Sequence, residues 1–393
     1  MRADPLRYLT EELDTLKTQG LYRHLRVLDD EQKAHTSFDH RSVVNLSSNN
    51  YLGLTTHPRL RERALEATRT LGVGSGSVRT IAGTMSVHME LERRLAEFKR
   101  TEATVVFQSG FTANAGTVSS ILDKEDFIIS DELNHASIID GARLSRATIK
   151  VFPHRDATAA RAIVRELPRE RRRLIISDGV FSMDGDLGAL PALCDVADEF
   201  GCIMMVDDAH ASGVFGTNGR GTIDHFGLHG RVDIQVGTLS KAVGALGGYV
   251  AGSRALIEFL YHRARPFLFS TSHPPAVAAS CLAAIDVLES EPQLIERLWE
   301  NTRFFKSGLQ SLGFDTGASE SPITPVIVGD AALAMKLSDV LFDNGVFAQG
   351  IGFPTVPLGK ARVRTIVTAT HTRDELQFAL DCFAKVGRSI GVI

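Results

Sequence analysis

The stretch Val236-Gly237-Thr238-Leu239-Ser240-Lys241-Ala242-Val243-Gly244 places one lysine among small and apolar residues. Burial disfavours the ammonium form, so it lowers the pKa of a lysine and leaves a neutral amine able to attack a carbonyl. Thr238 and Ser240 add two hydroxyl groups that can bind phosphate. A reactive lysine beside such hydroxyls is what pyridoxal phosphate (PLP) requires. Because a lysine after a serine is more often an ordinary surface residue, the rest of the chain has to support this interpretation.

Outward from this stretch, the chain alternates short apolar strands with helices. The predicted strands are 104–108, 127–130, 149–152, 174–177, 203–207 and 234–237. A further strand at 247–252 follows too closely for a helical crossover, so we expect it to pair antiparallel. This alternation indicates an α/β fold in which a mostly parallel sheet is covered by helices on both faces.

The ends of the chain predict smaller units. Leu6, Leu9, Leu13 and Leu16 recur at helical spacing, which predicts a helix over 5–19. After about residue 280 the pattern changes to long helices with two short strands, as in a small α+β domain. The predicted segments are an N-terminal helical arm (1–47), a large domain (48–278) and a smaller C-terminal α+β domain (279–393).

Composition and cysteine spacing predict a globular protein of the cytoplasm. The chain has 393 residues, of which 44% are hydrophobic and 23% charged, and its net charge of −4 gives no reason to expect nucleic acid or a membrane surface as a partner. The four cysteines lack the paired spacing of a zinc site or a disulfide framework. The first residues lack the apolar core of a signal peptide, and no apolar run approaches the roughly 18 residues that span a bilayer.

Polar residues follow the ends of five predicted strands. The segments are Ser109-Gly110-Phe111, Asp131 to His135, Asp178 to Asp184, Asp207 to His210, and Lys241. Ligands of parallel sheets bind beyond the carboxyl ends of the strands, so these segments should meet at one edge. Ser109-Gly110-Phe111 also opens a helix, whose N–H groups can bind a phosphate.

A PLP site needs a carboxylate against the pyridine nitrogen, and Asp207 is the candidate, although a carboxylate that caps a loop is the plain alternative. His210 could bind the ring hydroxyl and His135 could stack on the ring. An arginine is needed for the substrate carboxylate, since its planar fork binds carboxylates bidentately. On spacing alone, either Arg362 or Arg364 could serve, because both lie on one face of a predicted strand.

Seven segments, spread over nearly the whole chain, carry a family resemblance. They are 49–54 (NNYLGL), 78–84 (VRTIAGT), 109–114 (SGFTAN), 131–141 (DELNHASIIDG), 178–185 (DGVFSMDG), 206–210 (VDDAH) and 238–242 (TLSKA). In this order they are similar to the α-oxoamine synthases, PLP enzymes of fold type I that condense an amino acid with an acyl-CoA.

The resemblance implies a role for each matching residue. Lys241 resembles the lysine that forms the Schiff base, Asp207 the partner of the pyridinium, and His135 the ring-stacking histidine. The remaining cofactor-binding candidates are Gly110, Phe111, Ser182, His210, Thr238, Ser240 and, from a neighbouring subunit, Thr271 and Ser272. The substrate-binding candidates are Asn50, Arg23, Thr355 and Arg364. The catalytic candidates are Lys241, His135, Asp207 and His210, and no metal is implied. A homodimer with shared active sites is also implied.

Two substrate pairs are suggested within the family. The segments 265–270 and 353–364 resemble most the glycine C-acetyltransferases, which join glycine to acetyl-CoA and give 2-amino-3-ketobutyrate and CoA. They also resemble the branch that joins L-alanine to pimeloyl-CoA in biotin synthesis. The first pair is the expected reaction, with the second pair, or activity on both, as the alternative.

Three other functions are compatible with parts of the same pattern. An aminotransferase would use the same cofactor residues, so only release of CoA distinguishes it. A metal-dependent hydrolase could use Asp207, Asp208 and His210 as ligands, but it would leave Lys241 without a role. A binding protein without catalysis would keep its ligand affinity after loss of Lys241 or Asp207.

Overall fold

The protein is described by a computed structural model, which covers residues 4–19, 22 and 24–393. The helices are α1 (Arg7–Thr18), α2 (Pro58–Leu71), α3 (Ser86–Lys99), α4 (Gly110–Ile121), α5 (Ala136–Ser145), α6 (Ala157–Arg165), α7 (Leu190–Phe200), α8 (Thr222–His225), α9 (Arg254–Arg263), α10 (Arg265–Leu268), α11 (Pro275–Ser290), α12 (Gln293–Ser311), α13 (Ala331–Asp343) and α14 (Arg373–Ile390). The strands are β1 (His35–Phe38), β2 (Arg41–Asn45), β3 (Ala103–Phe107), β4 (Phe127–Asp131), β5 (Thr148–Phe152), β6 (Arg173–Asp178), β7 (Ile203–Asp207), β8 (Ile234–Thr238), β9 (Gly248–Gly252), β10 (Ile323–Gly329), β11 (Val346–Phe347), β12 (Gln349–Ile351) and β13 (Ala361–Ile366).

A seven-stranded sheet forms the centre of the described part of the chain, in the order β3-β9-β8-β7-β6-β4-β5. The pairs from β8 to β5 are parallel, whereas β9 is antiparallel to both of its neighbours. Both expectations from the sequence are thereby confirmed. The register aligns Asp178 with Asp207 across β6 and β7, so the two carboxylates end their strands side by side.

Successive residues of the central strands belong to different cores, because side chains alternate between the faces of a sheet. In β6, Leu174 and Ile176 pack on one face together with Val118 of α4, whereas Ile175 packs on the other face with Leu193 of α7. All six residues of β6 are buried. The continuous apolar runs of the sequence therefore mark strands that are covered on both faces.

The C-terminal part contains a second sheet, in the order β10-β13-β12, together with α12, α13 and α14. A third sheet has the order β1-β2-β11, in which β2 and β11 run parallel. The predicted helices and strands of the C-terminal part are confirmed, but β1, β11 and β12 were not predicted. β11 and β12 have only two and three residues, which is too short for a periodic pattern. The division into three segments stays a prediction.

The N-terminal helix α1 forms as the leucine spacing predicts, but none of its residues is buried. Leu9, Leu13 and Leu16 remain between 37% and 46% exposed. The apolar stripe of α1 is therefore not covered by the described part of this chain. Among the described helices, none is long and apolar enough to cross a membrane.

Candidate active site

A cavity of about 200 Å³ lies beyond the carboxyl ends of β6, β7 and β8. Nine of the residues predicted from the sequence line it, namely Gly110, Phe111, His135, Ser182, Asp207, His210, Thr238, Ser240 and Lys241. The sequence analysis gave no role to four other lining residues, Ser109, Ser137, Asp178 and Ala209. Their signal was present, because each lies within or beside a segment that follows the end of a strand.

Lys241 follows β8 and is held at the cavity by a short loop, in which Gly244 N–H donates to the Lys241 carbonyl over 2.9 Å. Burial lowers the pKa of Lys241 to about 8, against the opposing attraction of Asp207 and Asp178. About a tenth of the amine is therefore neutral at pH 7, far more than at an exposed lysine, and the neutral form is the one that attacks a carbonyl.

Asp207 is buried at the end of β7 and accepts two hydrogen bonds. The Asn114 side chain of α4 donates from Nδ2 to Asp207 Oδ2 over 2.6 Å, and the Ala209 N–H donates to Oδ1 over 2.8 Å. Asn114 Nδ2 also lies 2.9 Å from Ser137 Oγ, while Asn114 Oδ1 has no partner. These two donors fix the orientation of the carboxylate. The sequence analysis quoted Asn114 only as part of a segment and missed this contact.

Asp178 is the second carboxylate at this edge of the sheet. Its Oδ2 accepts the His135 N–H over 2.8 Å. Burial, together with the negative charge of Asp207, raises the pKa of Asp178 well above its usual value. Asp178 therefore retains a proton more readily than an exposed carboxyl group does.

The two histidines of the site are held by different elements. His135 caps the N-terminus of α5, with its Nδ1 2.7 Å from Ser137 Oγ. His210 Nδ1 lies 2.7 Å from the Tyr51 hydroxyl. Burial lowers the pKa of both imidazoles, and the positive charge of Lys241 lowers them further. Both rings are therefore neutral at pH 7, so each can accept a hydrogen bond or stack on an aromatic ring.

The N-terminus of α4 forms a site for an anion. Ser109 caps this helix, and Thr238 Oγ1 lies 2.7 Å from Ser240 Oγ at the same end of the cavity. Free N–H groups, the positive end of the helix dipole and hydroxyls together suit a phosphate. With a lysine of lowered pKa and a buried carboxylate at the other end, this set of donors fits PLP in both charge and hydrogen bonding.

The structure separates the roles of the two candidate arginines. Arg362 donates from Nη1 to Asp184 Oδ1 over 2.5 Å and to the Met183 carbonyl over 2.9 Å. Arg364 Nη1 donates to the Ser182 carbonyl over 3.1 Å, and no carboxylate of the described residues pairs with it. Burial lowers the pKa of Arg364, and its charge acts in turn on His210 and Lys241. Arg364 therefore lies beside the cavity with its charge uncompensated.

Several predicted residues do not line the cavity. Asn50 is buried and donates to Thr55 Oγ1 over 2.7 Å, and Thr355 lies in an exposed turn, where its N–H donates to the Gly352 carbonyl. Arg23 lies outside the described residues. Thr271 and Ser272 pack against the loop around Val78, where Thr271 and Val78 form a β-bridge.

Asp208, a ligand in the hydrolase alternative, points away from this site. Its carboxylate accepts hydrogen bonds from Thr222 N–H over 3.1 Å and forms a buried ion pair of 3.2 Å with Lys99. The Asp207 carboxylate therefore faces the cavity, whereas the Asp208 carboxylate faces Lys99. The two do not converge with His210 as three ligands of one metal ion. Among the residues that the structure covers, no group of three or more His, Cys, Asp or Glu side chains is placed to hold a metal ion.

Comparisons with known proteins agree with this geometry. The model of the family "Aminotransferase class I and II" matches residues 41–383. The 8-amino-7-oxononanoate synthase of Symbiobacterium thermophilum is 62% identical over 387 residues, which are 98% of this chain and 99% of that protein. The 8-amino-7-oxononanoate synthase 1 of Bacillus subtilis is 55% identical over 386 residues, 98% of each chain. A solved serine palmitoyltransferase of S. paucimobilis, with a bound PLP–myriocin adduct, has a TM-score of 0.94 at 33% identity and covers 99% of this chain and 100% of its own.

The chain belongs to the α-oxoamine synthase family. The predicted fold class, PLP-dependent transferase of fold type I, is thereby confirmed, as is the predicted enzyme class of acyltransferase. The cavity at the carboxyl ends of β6, β7 and β8 is the candidate active site. The individual roles of its side chains are still proposals.

Proposed function

We propose that this α-oxoamine synthase joins L-alanine to pimeloyl-CoA, giving 8-amino-7-oxononanoate, CoA and CO2. The observation that carries the proposal is the similarity, at 53% to 62% identity over nearly the whole chain, to relatives named 8-amino-7-oxononanoate synthase. In the sequence analysis this reaction was the alternative to the expected one. The main expectation, glycine with acetyl-CoA, has weaker support because none of the relatives named above carries that activity in its name.

The cofactor is PLP, which when bound supplies a ring that accepts the electrons of a carbanion. Lys241 would hold it through its amine and Asp207 through the ring nitrogen, while His210 would donate to the ring hydroxyl. His135 would stack on the ring. The phosphate would lie at the N-terminus of α4, with the hydroxyls of Thr238 and Ser240 as further donors.

The other tasks fall to groups around the cavity. The Arg364 guanidinium, which pairs with no carboxylate of the described residues, binds and orients the carboxylate of the amino acid. Lys241 Nζ takes the proton from the α-carbon, since its lowered pKa makes it a base near neutral pH. His135 and Ser182 line the same cavity and can orient the thioester carbonyl and donate to its oxygen.

The overall step balances when one proton comes from the α-carbon by way of Lys241 and a second comes from water. A bond forms between the α-carbon of alanine and the carbonyl carbon of the pimeloyl group, and the carbon–sulfur bond of the thioester breaks. CoA leaves as a thiol, taking one proton. The carboxylate of alanine leaves as CO2, and a proton replaces it on the α-carbon.

Release of CoA thiol by the PLP-loaded protein tests the proposal. L-alanine with pimeloyl-CoA should give turnover, and glycine with acetyl-CoA should give at most a minor rate. Turnover with glycine and acetyl-CoA alone would restore the first expectation from the sequence. Absence of thiol with either pair would contradict both substrate assignments and leave the cofactor site intact.

A homodimer with shared active sites belongs to the same proposal. Thr271 is exposed and bridges to Val78, and the neighbouring apolar side chains Val73, Ile81 and Phe269 are 81%, 83% and 70% exposed. An apolar surface of this kind is typical of a contact between subunits. A second copy packed there would cover these side chains and bring Thr271 to the phosphate of the other subunit.

Hybrid dimers test the shared site. Lys241→Ala and Thr271→Glu, each inactive or nearly so alone, should recover roughly one quarter of the wild-type activity when refolded together, because half of the dimers have one complete site. If the refolded mixture sediments as a dimer but recovers no activity, each active site is formed by one subunit alone.

A further inference from the structure

The loop 178–187 contacts the cavity, the region beside the central sheet and the C-terminal part of the chain. It closes on itself through a bridge between Val180 and Leu187 and through a hydrogen bond of 3.0 Å from Phe181 N–H to the Asp186 carbonyl. Ser182, at its tip, lines the cavity, and its carbonyl accepts the hydrogen bond from Arg364. The position of Arg364 therefore depends on where this loop is held.

His154, which neither the sequence analysis nor the cavity singled out, holds the inner side of the loop. Its Nδ1 lies 3.0 Å from Asp131 Oδ1, and its Nε2 lies 2.8 Å from Asp186 Oδ2. Two carboxylates on opposite ring nitrogens require a proton on both nitrogens, so the ring is an imidazolium. The His154 ring also packs edge-on against Phe181, with 4.4 Å between the ring centroids. Two residues of the loop thus contact this one side chain.

Glu320, in the C-terminal part of the chain, holds the outer side. Its N–H donates to the Gly185 carbonyl over 3.0 Å, and its Oε2 accepts the Leu187 N–H over 3.1 Å. Arg155 lies between the two sides, 3.5 Å from Asp186 Oδ2 and 3.3 Å from Glu320 Oε2. The loop is therefore fixed by charged groups from the central sheet and from the C-terminal part at once.

We propose that His154 is a positioning residue for amino-acid binding, which acts by holding the loop 178–187 so that the Ser182 carbonyl orients Arg364. This rests on the proposed role of Arg364 in binding the substrate carboxylate. His154 itself touches neither the cavity nor the reacting atoms. Its loss should therefore weaken binding of the amino acid while leaving the acyl donor and the chemical step nearly unchanged.

The test compares His154→Gln with His229→Gln in the PLP-loaded enzyme. His229 also pairs with a partly buried aspartate, with 2.9 Å between its Nε2 and Asp224 Oδ1, but neither residue lines the cavity. His154→Gln should raise the KM for L-alanine about tenfold and keep kcat and the KM for pimeloyl-CoA within about threefold. His229→Gln should leave all three values unchanged.

A second readout does not need the acyl donor. Binding of L-alanine or glycine, followed through the absorbance of the bound cofactor, should weaken by the same factor of about ten in His154→Gln. This shift in binding without any thiol release would uphold the role of His154 and contradict the proposed reaction. A wild-type protein that binds neither amino acid would overturn both.

If His154→Gln does not fold, Glu320→Ala provides a second test of the same loop. Glu320 is half exposed, with 42% of its side chain accessible, and it holds the same loop from the outside. We expect a rise of about threefold in the KM for L-alanine at unchanged kcat. A fall in kcat without a rise in the KM for L-alanine would overturn the proposal. Unchanged amino-acid binding in both variants would overturn it as well.

Discussion

Lys241, Asp178 and Asp207 bring one amine and two carboxyl groups together at one cavity. The aligned ends of β6 and β7 make the two carboxyl groups neighbours, and burial acts against the charged forms of Asp178 and Lys241. The result is an amine of lowered pKa beside a carboxyl group of raised pKa. Both are the shifts that acid–base chemistry near neutral pH requires.

The lowered pKa of Lys241 predicts the pH dependence of cofactor uptake. Because only the neutral amine forms the Schiff base, the rate constant for PLP incorporation into the cofactor-free protein should rise about tenfold per pH unit below pH 8 and level off above it. A lysine at the ordinary value of 10.5 would show a rise that continues through pH 9. The rate can be followed by the absorbance of the bound cofactor.

Lys306 provides a matched control for this measurement. Burial lowers its pKa to about 8 as well, but its amine donates to the Ser319 and Ser321 carbonyls, away from the cavity. Lys306→Gln should therefore leave the pH profile unchanged. A wild-type profile that still rises between pH 8 and 10 would contradict the lowered pKa of Lys241.

Asn114 is expected to affect kcat indirectly, through its hydrogen bond to Asp207. Asn114→Ala removes the hydrogen bond of 2.6 Å to Asp207 Oδ2 and leaves a buried carboxylate with one donor fewer, which should lower kcat about tenfold. Asp207→Asn removes the charge itself and should lower kcat by at least about 100-fold. An effect of Asn114→Ala as large as that of Asp207→Asn would show a direct role for the amide in the reaction.

At the scale of single elements, β9 and the start of α4 are in close contact. A Cβ atom added to Gly248 would lie 2.4 Å from the carbonyl carbon of Ser109 and 2.5 Å from Gly110 N. Both neighbours are backbone atoms and cannot rotate away. The glycine at the start of β9 therefore sets the position of the helix N-terminus that we assign to the phosphate.

Gly248→Ala should weaken PLP binding by at least about tenfold, because the N–H groups of α4 would be displaced from the phosphate. Equilibrium titration of the cofactor-free variant with PLP measures this. Gly227→Ala is the control, since a Cβ atom there meets nothing within 4 Å, although its φ of +67° makes the change mildly destabilising. Unchanged PLP affinity in Gly248→Ala would place the phosphate elsewhere.

The elements of this fold were largely predictable because burial on both faces gives each central strand a continuous apolar run. The pairing of strands was not predictable in detail. The register that aligns Asp178 with Asp207 depends on the order of strands, which no local pattern encodes. Arg362 and Arg364 illustrate the same limit, since they share a face by spacing and differ only through contacts with a loop about 180 residues earlier.

For the whole molecule, His154 predicts a pH dependence of stability. Although burial acts to lower it, hydrogen bonds with Asp131 and Asp186 raise the pKa of His154 to about 9. A raised pKa contributes stability that is fully present below the unfolded value of 6.5 and is lost as the pH rises through 9. The difference in free energy of unfolding between wild type and His154→Gln should therefore shrink between pH 6.5 and 9.

Denaturant unfolding of both proteins at pH 6, 8 and 10 measures this difference. His229→Gln serves again as the comparison, because its pair with Asp224 lies at α8 and the turn that follows it, away from the loop 178–187. A difference between wild type and His154→Gln that stays constant across this range would show that the ring is held without its second proton.

The third sheet joins the two ends of the polypeptide. β2 pairs with β11, and Ser47 Oγ donates to the Phe347 carbonyl across 300 residues of sequence. During synthesis at about 5 to 20 residues per second, the N-terminal strand leaves the ribosome ~15 to 60 s before its partner exists. For that interval β1 can pair with one edge of β2 while the other edge lacks its partner, so a chaperone that shields such edges should bind the growing chain between these two points of translation.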